Sequence, residues 1–411
     1  MNPALKDALT VLEHLEKAGY QAYLVGGCVR DRLMGREPAD WDVATDACPD
    51  TVQALFPWTV PTGLRHGTVS VLHKKGMTEV TTFRREGAYT DHRRPDAVVF
   101  MTDLSKDLAR RDFTINAMAE DRRGRLYDPF KGQQDLKQKQ IRAVGEPDHR
   151  FTEDALRMVR ALRFAAQLEF SIEEKTEAAI QRSKCHLTSL AVERVTGELK
   201  KLFRAPRPSL GVRYLWKHNL FPVLPPFSRW EMAVPNSPNF PAETLDSLDG
   251  EATRWAFFLL MCGVEVSVVR SRLKSFRVSQ KEWTEIAVIF QLALSRKEEW
   301  QEMEAKRAIL EHGWEAIYRG TLLAGEIHGW PPQVRDHCLK ALAGWHQEMP
   351  VRNQRDLAVN GQDLIRISGR PPGSWVGKVL EELLVRTALG QLPNDKTALM
   401  KEGRRIGKFY P

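Results

Sequence analysis

The spacing of apolar residues divides the chain into two textures. Over Ala4–Ala18 the apolar positions Leu5, Ala8, Leu9, Leu12 and Leu15 recur at helical spacing and stop at Gly19, which predicts an amphipathic helix closed by a glycine. Short runs rich in β-branched and aromatic residues follow at Gln21–Val25, Trp41–Ala44, Gly67–Leu72, Thr78–Phe83 and Ala97–Met101. Glycine, proline or charge bounds each of them, and they predict strands. A helix after Gly27 and helical patterns over Leu104–Ala109 and Phe113–Ala119 complete a mixed sheet with helices, not a repeating βαβ ladder. From Thr152 the strand signals stop. One helical pattern runs from Thr152 to Leu168, and others fill 173–184, 190–204, 251–263, 266–275, 279–296, 298–312 and 332–347. Six prolines between Pro222 and Pro241 mark a loop. The predicted class is α+β, a mixed-sheet head followed by all-α segments, with boundaries at 1–150, 151–207, 208–330 and 331–411.

Composition narrows the class. A chain of 411 residues, 42% hydrophobic and 28% charged, is too apolar to be disordered and long enough for two to four domains. Its most apolar stretch, Trp255–Val264, falls short of the roughly 20 residues that span a bilayer. The first residues lack the apolar core of a signal peptide. Five scattered cysteines without a CxxC pair argue against a disulfide framework or a zinc site, so a reducing cytoplasm is the expected compartment. The net charge of +8 is distributed as +1 over 1–150, +3 over 151–207, −1 over 208–330 and +5 over 331–411. Contact with a polyanion is therefore expected of the second and last segments more than of the head.

Two short patterns carry the first hint of chemistry. Leu24-Val25-Gly26-Gly27-Cys28-Val29-Arg30-Asp31 reads as a strand that ends in two glycines ahead of a helix. Without Cβ atoms there, backbone N–H groups can approach a phosphate, and Arg30 adds charge one turn later, although the same pattern also serves as an ordinary turn. Asp40 and Asp42 stand two apart on a strand pattern, so their side chains share one face. Crowded carboxylates repel unless a hard cation such as Mg²⁺ neutralises them, and a solvent-facing pair is the other reading of that spacing.

Together these residues resemble a known family. Gly-Gly-x-Val-Arg-Asp-x-Leu-x-Gly from Gly26 to Gly35, followed by Asp40-x-Asp42, resembles the nucleotidyltransferase signature of the DNA polymerase β superfamily. The resemblance is to its class II branch of tRNA nucleotidyltransferases and bacterial poly(A) polymerases. Arg110-Arg111-Asp112-Phe113-Thr114-Ile115-Asn116-Ala117 is similar to the second block of that family, and Tyr127-Asp128-Pro129-Phe130 to the third. Glu153-Asp154-Ala155-Leu156-Arg157-Met158-Val159-Arg160-Ala161-Leu162-Arg163 is similar to the fourth, and Glu193-Arg194 with Glu198-Leu199 to the fifth. The blocks occur in the family's order between residues 24 and 204, which makes the set far more specific than any one of them.

The resemblance implies a template-independent enzyme that adds and repairs the 3′-terminal CCA of tRNA from CTP and ATP, releasing pyrophosphate. Asp40 and Asp42 would hold two Mg²⁺ ions, with Glu79 either a third carboxylate or a surface residue. Gly27, Arg30, Arg111, Asp112 and Asn116 are expected to contact phosphate and ribose; the alternative for the last three is a helix N-cap and its neighbours. Asp154 and Arg157 are read as three apart on one helical face, where they form either a structural ion pair or a base reader. As a reader, an aspartate accepting from an exocyclic amino group and an arginine donating to a ring nitrogen match cytosine and adenine and reject uracil and guanine. Arg160 and Arg163 continue that basic ridge.

Competing activities are narrowed by two segments. The charged stretch Arg84–Pro95, read as a strandless loop, is similar to a flexible loop of enzymes that add the terminal A, which argues against a CC-only activity. The tail segment Leu357–Leu399 is similar to the C-terminal region of bacterial class II enzymes and is expected to follow an RNA backbone. An A-adding enzyme and a poly(A) polymerase are the alternatives within the family, and a noncatalytic RNA-binding protein on the same scaffold is the alternative outside it. Intact Asp40 and Asp42 weigh against the last. A homodimer is implied only by analogy with relatives, and no membrane partner is expected.

Overall fold

The computed structural model describes residues 2–74, 76–86, 98–231 and 233–410. The chain forms two compact units, Met1–Asp246 and Ser247–Pro411. The segments expected separately at 1–150 and 151–207 thus share one unit. Among the described residues no helix is long and apolar enough to cross a membrane.

The first unit begins with α1 (Pro3–Lys17), β1 (Ala22–Val25), α2 (Gly27–Leu33), β2 (Asp42–Thr45), α3 (Pro49–Leu55), β3 (Thr59–Gly63), β4 (Thr68–His73) and β5 (Gly76–Thr82). It continues with β6 (Arg84–Glu86), β7 (Val98–Phe100), α4 (Leu104–Ala109), β8 (Ala119–Glu120), β9 (Leu126–Tyr127), α5 (Gly132–Gln138) and β10 (Gln140–Ile141). The helical part follows as α6 (Pro147–Glu153), α7 (Leu156–Leu168), β11 (Ser171–Ile172), α8 (Glu174–Ser183), α9 (Val192–Phe203), α10 (Pro208–Lys217) and α11 (Thr244–Ser247). Seven strands make one mixed sheet in the order β3-β4-β5-β2-β1-β8-β9. Alternation along the strands supplies two cores: Leu24, Val43 and Val80 pack with Ala8, Val11, Leu12 and Leu15 of α1, while Val25 and Ala44 pack with Phe83, Leu108 and Val144.

The second unit is helical, with α12 (Glu251–Met261), α13 (Val269–Ser275), α14 (Gln280–Ser295), α15 (Glu302–His312), α16 (Trp314–Ile327), α17 (Pro332–Glu348), α18 (Gly361–Ser368), α19 (Ser374–Ala388) and α20 (Lys396–Gly407). One apolar cluster joins Trp300, Ile309 and Ile317 to Leu342, Leu364, Trp375, Val379 and Leu399, so the expected boundary at 330/331 crosses a shared core.

Three local expectations are corrected. The helix read over Thr152–Leu168 is broken at Asp154, whose extended backbone (φ −141°, ψ 101°) ends α6. The Asp154 side chain accepts the Leu156 N–H at 3.1 Å, a local turn that competes with a continuous helix. Over Phe113–Ala119 only Thr114–Asn116 winds, as a 3₁₀ turn, because Ala119 leaves to pair with Val25 of β1. The stretch Arg84–Pro95 is not strandless, since Arg84–Glu86 pairs with Val98–Phe100; its residues 87–95 lie outside the described residues.

Close packing of α10 on α7 depends on Gly211. A Cβ there would sit 2.5 Å from the Leu162 carbonyl oxygen and 2.8 Å from Leu202 Cδ1. The backbone oxygen cannot rotate away, so Gly211→Ala is expected to destabilise the protein by about 1–3 kcal/mol. A urea midpoint that did not fall would contradict this packing.

Candidate active site

Strand pairing decides which residues meet. β1 and β2 run antiparallel with Leu24 opposite Val43, so the Gly26-Gly27 turn after β1 arrives where β2 begins at Asp42. β2 and β5 run parallel with Asp42 beside Glu79. The Gly26 N–H donates to the Met118 carbonyl at 3.3 Å, which draws the segment before β8 against the turn. Gly26 has φ 75°, a backbone shape that favours glycine, and a Cβ there would lie 2.8 Å from the Arg111 guanidinium and displace it.

These elements, with α7 and α9, line a cavity of about 570 Å³. Gly26, Gly27, Arg30, Asp42, Arg111, Asp112, Asn116, Asp154, Arg157, Arg160 and Arg163 all line it, so the structure brings together every expected site residue except Asp40. Asp40 is exposed and precedes β2. His66, Arg84, Arg110, Leu156, Phe164 and Arg194 complete the wall, and none of these six was expected as a site residue. Eight arginines face three aspartates, a strongly electropositive lining suited to a polyphosphate. Arg194 had a signal in the Glu193-Arg194 pair, whereas nothing in the local pattern marks His66.

A buried hydrogen-bond chain fixes the wall. Arg30, 4% exposed, donates to Asn116 Oδ1 at 2.6 Å, and Asn116 donates to Asp112 Oδ1 at 3.0 Å. That oxygen also takes the Phe113 N–H at 2.8 Å. Arg160 donates Nε and Nη2 to Asp112 Oδ2 at 2.8 and 2.6 Å. Burial alone would raise the Asp112 pKa, but the Arg160 charge and the bonds from Asn116, Arg160 and Phe113 outweigh it and hold the carboxyl well below its usual range. Arg163 donates to Glu198 at 2.7 Å and lies 3.6 Å from the Phe164 ring centre. Burial pushes its guanidinium down to about 10, in spite of Glu198. Asp107, buried beneath the wall, pairs with Arg110 at 2.8 Å and Arg111 at 3.4 Å. Among the described residues Arg111 Nε is buried without a hydrogen-bond partner.

Asp154 and Arg157 do not pair with each other. Asp154 Oδ2 accepts from Arg194 Nη2 at 2.8 Å. Arg157 donates to Glu153 at 2.6 Å and to the carbonyls of Arg150 and Arg110 at 3.1 and 2.9 Å. The expectation of one helical face is therefore replaced by two elements: Asp154 sits in the break between α6 and α7, and Arg157 on the first turn of α7. Both still line the cavity.

The carboxylates at the sheet end fit a divalent cation. Burial first, then the charge of Glu79 and, after a lowering by Arg111, that of Asp40, push the Asp42 carboxyl up to about 6. A cation would relieve that repulsion. Among the described residues no group of three or more His, Cys, Asp or Glu side chains is arranged to hold a metal ion by itself. Two carboxylates suit an ion such as Mg²⁺ that completes its shell with water and substrate phosphates.

Comparison with known proteins follows the same division of the chain. The poly A polymerase head domain family matches residues 22–142, and tRNA nucleotidyltransferase domain 2 matches residues 247–402. The chain is 39% identical over 389 residues to the CCA-adding enzyme of Bacillus velezensis, with 95% of each chain covered. It is 37% identical to the CCA-adding enzyme of Geobacillus kaustophilus, with 96% of each covered. Its fold matches the crystal structure of Bacillus stearothermophilus CCA-adding enzyme in complex with CTP with a TM-score of 0.75, at 34% identity and over the whole of both chains.

The raised pKa of Asp42 makes a stability prediction. Between the unfolded pKa near 4 and the folded value of about 6, the folded state binds the extra proton, so stability falls as pH rises through this window. Without added metal, Asp42→Asn should therefore raise stability at pH 8 by about 1–3 kcal/mol, the worth of one to two pKa units. The gain should shrink below pH 5, where the native carboxyl is already protonated. Denaturation at both pH values checks this, and an equal gain at each would contradict it.

Proposed function

The chain belongs to the CCA-adding enzyme family, and from that premise we propose that it adds and repairs the 3′-terminal CCA of tRNA, using CTP and ATP and releasing pyrophosphate. The observation that carries the reading is one cavity that joins Asp42 at the sheet end to Asp154 and Arg157 at the start of α7 across an arginine-rich wall. Divalent cations, two Mg²⁺ in this reading, held by Asp40 and Asp42, would supply activation of the RNA 3′-hydroxyl and neutralisation of the triphosphate.

The chain's own residues orient the nucleotide. Gly26 and Gly27 leave room for a phosphate beside the backbone, and Arg111 brings its guanidinium to that turn. Asp112 and Asn116 hold Arg30 and Arg160 in place; a ribose 2′-hydroxyl reaches Asp112 by replacing one of the two bonds from Arg160. Arg157 is held by Glu153 and two carbonyls, which leaves a fixed donor for a ring nitrogen. Asp154 accepts from an exocyclic amino group. That donor and acceptor set selects cytosine and adenine without a nucleic-acid template.

We assign catalysis to the head (1–150), nucleotide selection to the neck (151–207) and tRNA binding to the tail (331–411), and no role to the helical body (208–330). Lys401, Arg404 and Arg405 on α20 and Lys408 just after it line a cavity of about 580 Å³ with Ile367, Thr397 and Met400. Their charges suit an RNA backbone.

Incubation with tRNAs ending at the discriminator base, at C and at CC, with each NTP in turn, is the direct test of the activity. Stepwise C, C and A addition that stops at CCA is expected. Addition of A alone, or an extended A tract, would replace this reading with an A-adding enzyme or a poly(A) polymerase. Asp40→Ala should abolish incorporation while tRNA still binds; normal CMP addition by that variant would refute the metal assignment. For the tail, Lys401→Glu with Arg404→Glu should weaken tRNA binding and lower the slope of log K against log salt by about 2, leaving the KM for CTP unchanged. Equal loss of tRNA and CTP affinity would reject the assignment.

A further inference from the structure

Asp154 can discriminate between bases only if its carboxylate is held in one orientation, because a freely rotating acceptor would serve many hydrogen-bond donors. Two contacts hold it. The Leu156 N–H fixes Oδ1 at 3.1 Å from within the turn that opens α7. The second comes from a different element: Arg194, in the first turn of α9, donates Nη2 to Oδ2 at 2.8 Å. The Asp154 and Arg194 side chains are 18% and 24% exposed, and both line the cavity.

Among the described residues the rest of the Arg194 guanidinium is not fully hydrogen-bonded. Among the described residues Asp154 is its one carboxylate partner, and its Nη1 is buried without a hydrogen-bond partner. A buried unpaired donor costs stability, so this arginine is poorly explained as a structural staple. Arg163, on α7, shows the contrast, with Nε on Glu198 at 2.7 Å and Nη1 on Gln167 at 2.5 Å.

We infer that Arg194 is a positioning residue for nucleotide selection: its ion pair clamps the Asp154 carboxylate from α9, so that the lone pairs left over face the base of an incoming nucleotide. The inference rests on the proposed role of Asp154 as the reader of the exocyclic amino group. It makes selectivity a joint property of the α6–α7 break and α9. It also gives the Glu193-Arg194 pair a task in choosing the nucleotide.

The test measures kcat/KM for CTP, ATP, UTP and GTP on tRNA lacking CCA, for the full chain and its Arg194→Ala, Arg194→Lys, Asp154→Ala and doubly substituted variants, together with the KM for tRNA and the thermal midpoint. Arg194→Ala should lower the CTP-to-UTP preference by about tenfold or more, the worth of one charge-assisted hydrogen bond, with the KM for tRNA unchanged. Arg194→Lys, which keeps the charge without the fork, should recover part of the preference, and it decides the matter if the alanine variant does not fold. The double variant should discriminate no worse than Asp154→Ala alone. If Asp154→Ala relaxes the preference while both Arg194 variants retain it, the clamp is wrong and the reader stands. If Asp154→Ala itself leaves the preference intact, the reader is wrong. Faster CTP incorporation by Arg194→Ala would mean that the arginine masks Asp154, and would overturn the inference.

Discussion

The Asp112 carboxylate, buried and ionised, is the contact on which the site depends. It joins three pieces of the chain that share no secondary structure: Asn116 and through it Arg30 at the glycine turn, its own backbone neighbour Phe113, and Arg160 on α7. A buried carboxylate is tolerable only while those partners remain. Because its folded pKa is depressed, this stabilisation is present above the unfolded pKa near 4 and is lost as the pH falls through the folded value.

A second constraint is the pairing of β2. Antiparallel to β1 and parallel to β5, it gathers the Gly26-Gly27 turn, Asp42 and Glu79 at one end of the sheet. The raised Asp42 pKa is the electrostatic cost of this gathering. In the proposed reading, Asp42 at one end of the cavity serves metal-assisted transfer and the arginine wall at the other binds the nucleotide. Folding stability is sacrificed at Asp42 and recovered elsewhere in the apolar cores on the two faces of the sheet.

Much of this was legible in the sequence, for reasons that differ by residue. The period-2 and period-3.6 patterns placed β1, β4, β5 and α1 to within one or two residues, because those elements bury one face against a core. β8 and β9, two residues each, carry too little pattern to be seen and exist only by pairing with β1 and each other. The break at Asp154 was hidden because an aspartate inside an apolar period looks like an exposed helix position; only the side-chain bond to Leu156 N–H reveals it as the start of a new helix. For the same reason the ion-pair alternative for Asp154 and Arg157 stayed open in the sequence, whereas in the fold each has another partner. Arg84, Arg110 and Arg194 reach the cavity from three separate elements, and no spacing rule connects them.

In the proposed reading, Asp112 and Arg160 act as one unit in shaping the nucleotide site. A double-mutant cycle with Asp112→Asn and Arg160→Gln, read by the Kd for CTP on the full chain with Mg²⁺ present, tests it most directly. Each single substitution should weaken CTP binding by about tenfold or more, and the double variant should be no weaker than the worse of the two. Losses that simply multiply, or a double variant far weaker than either single one, would contradict it.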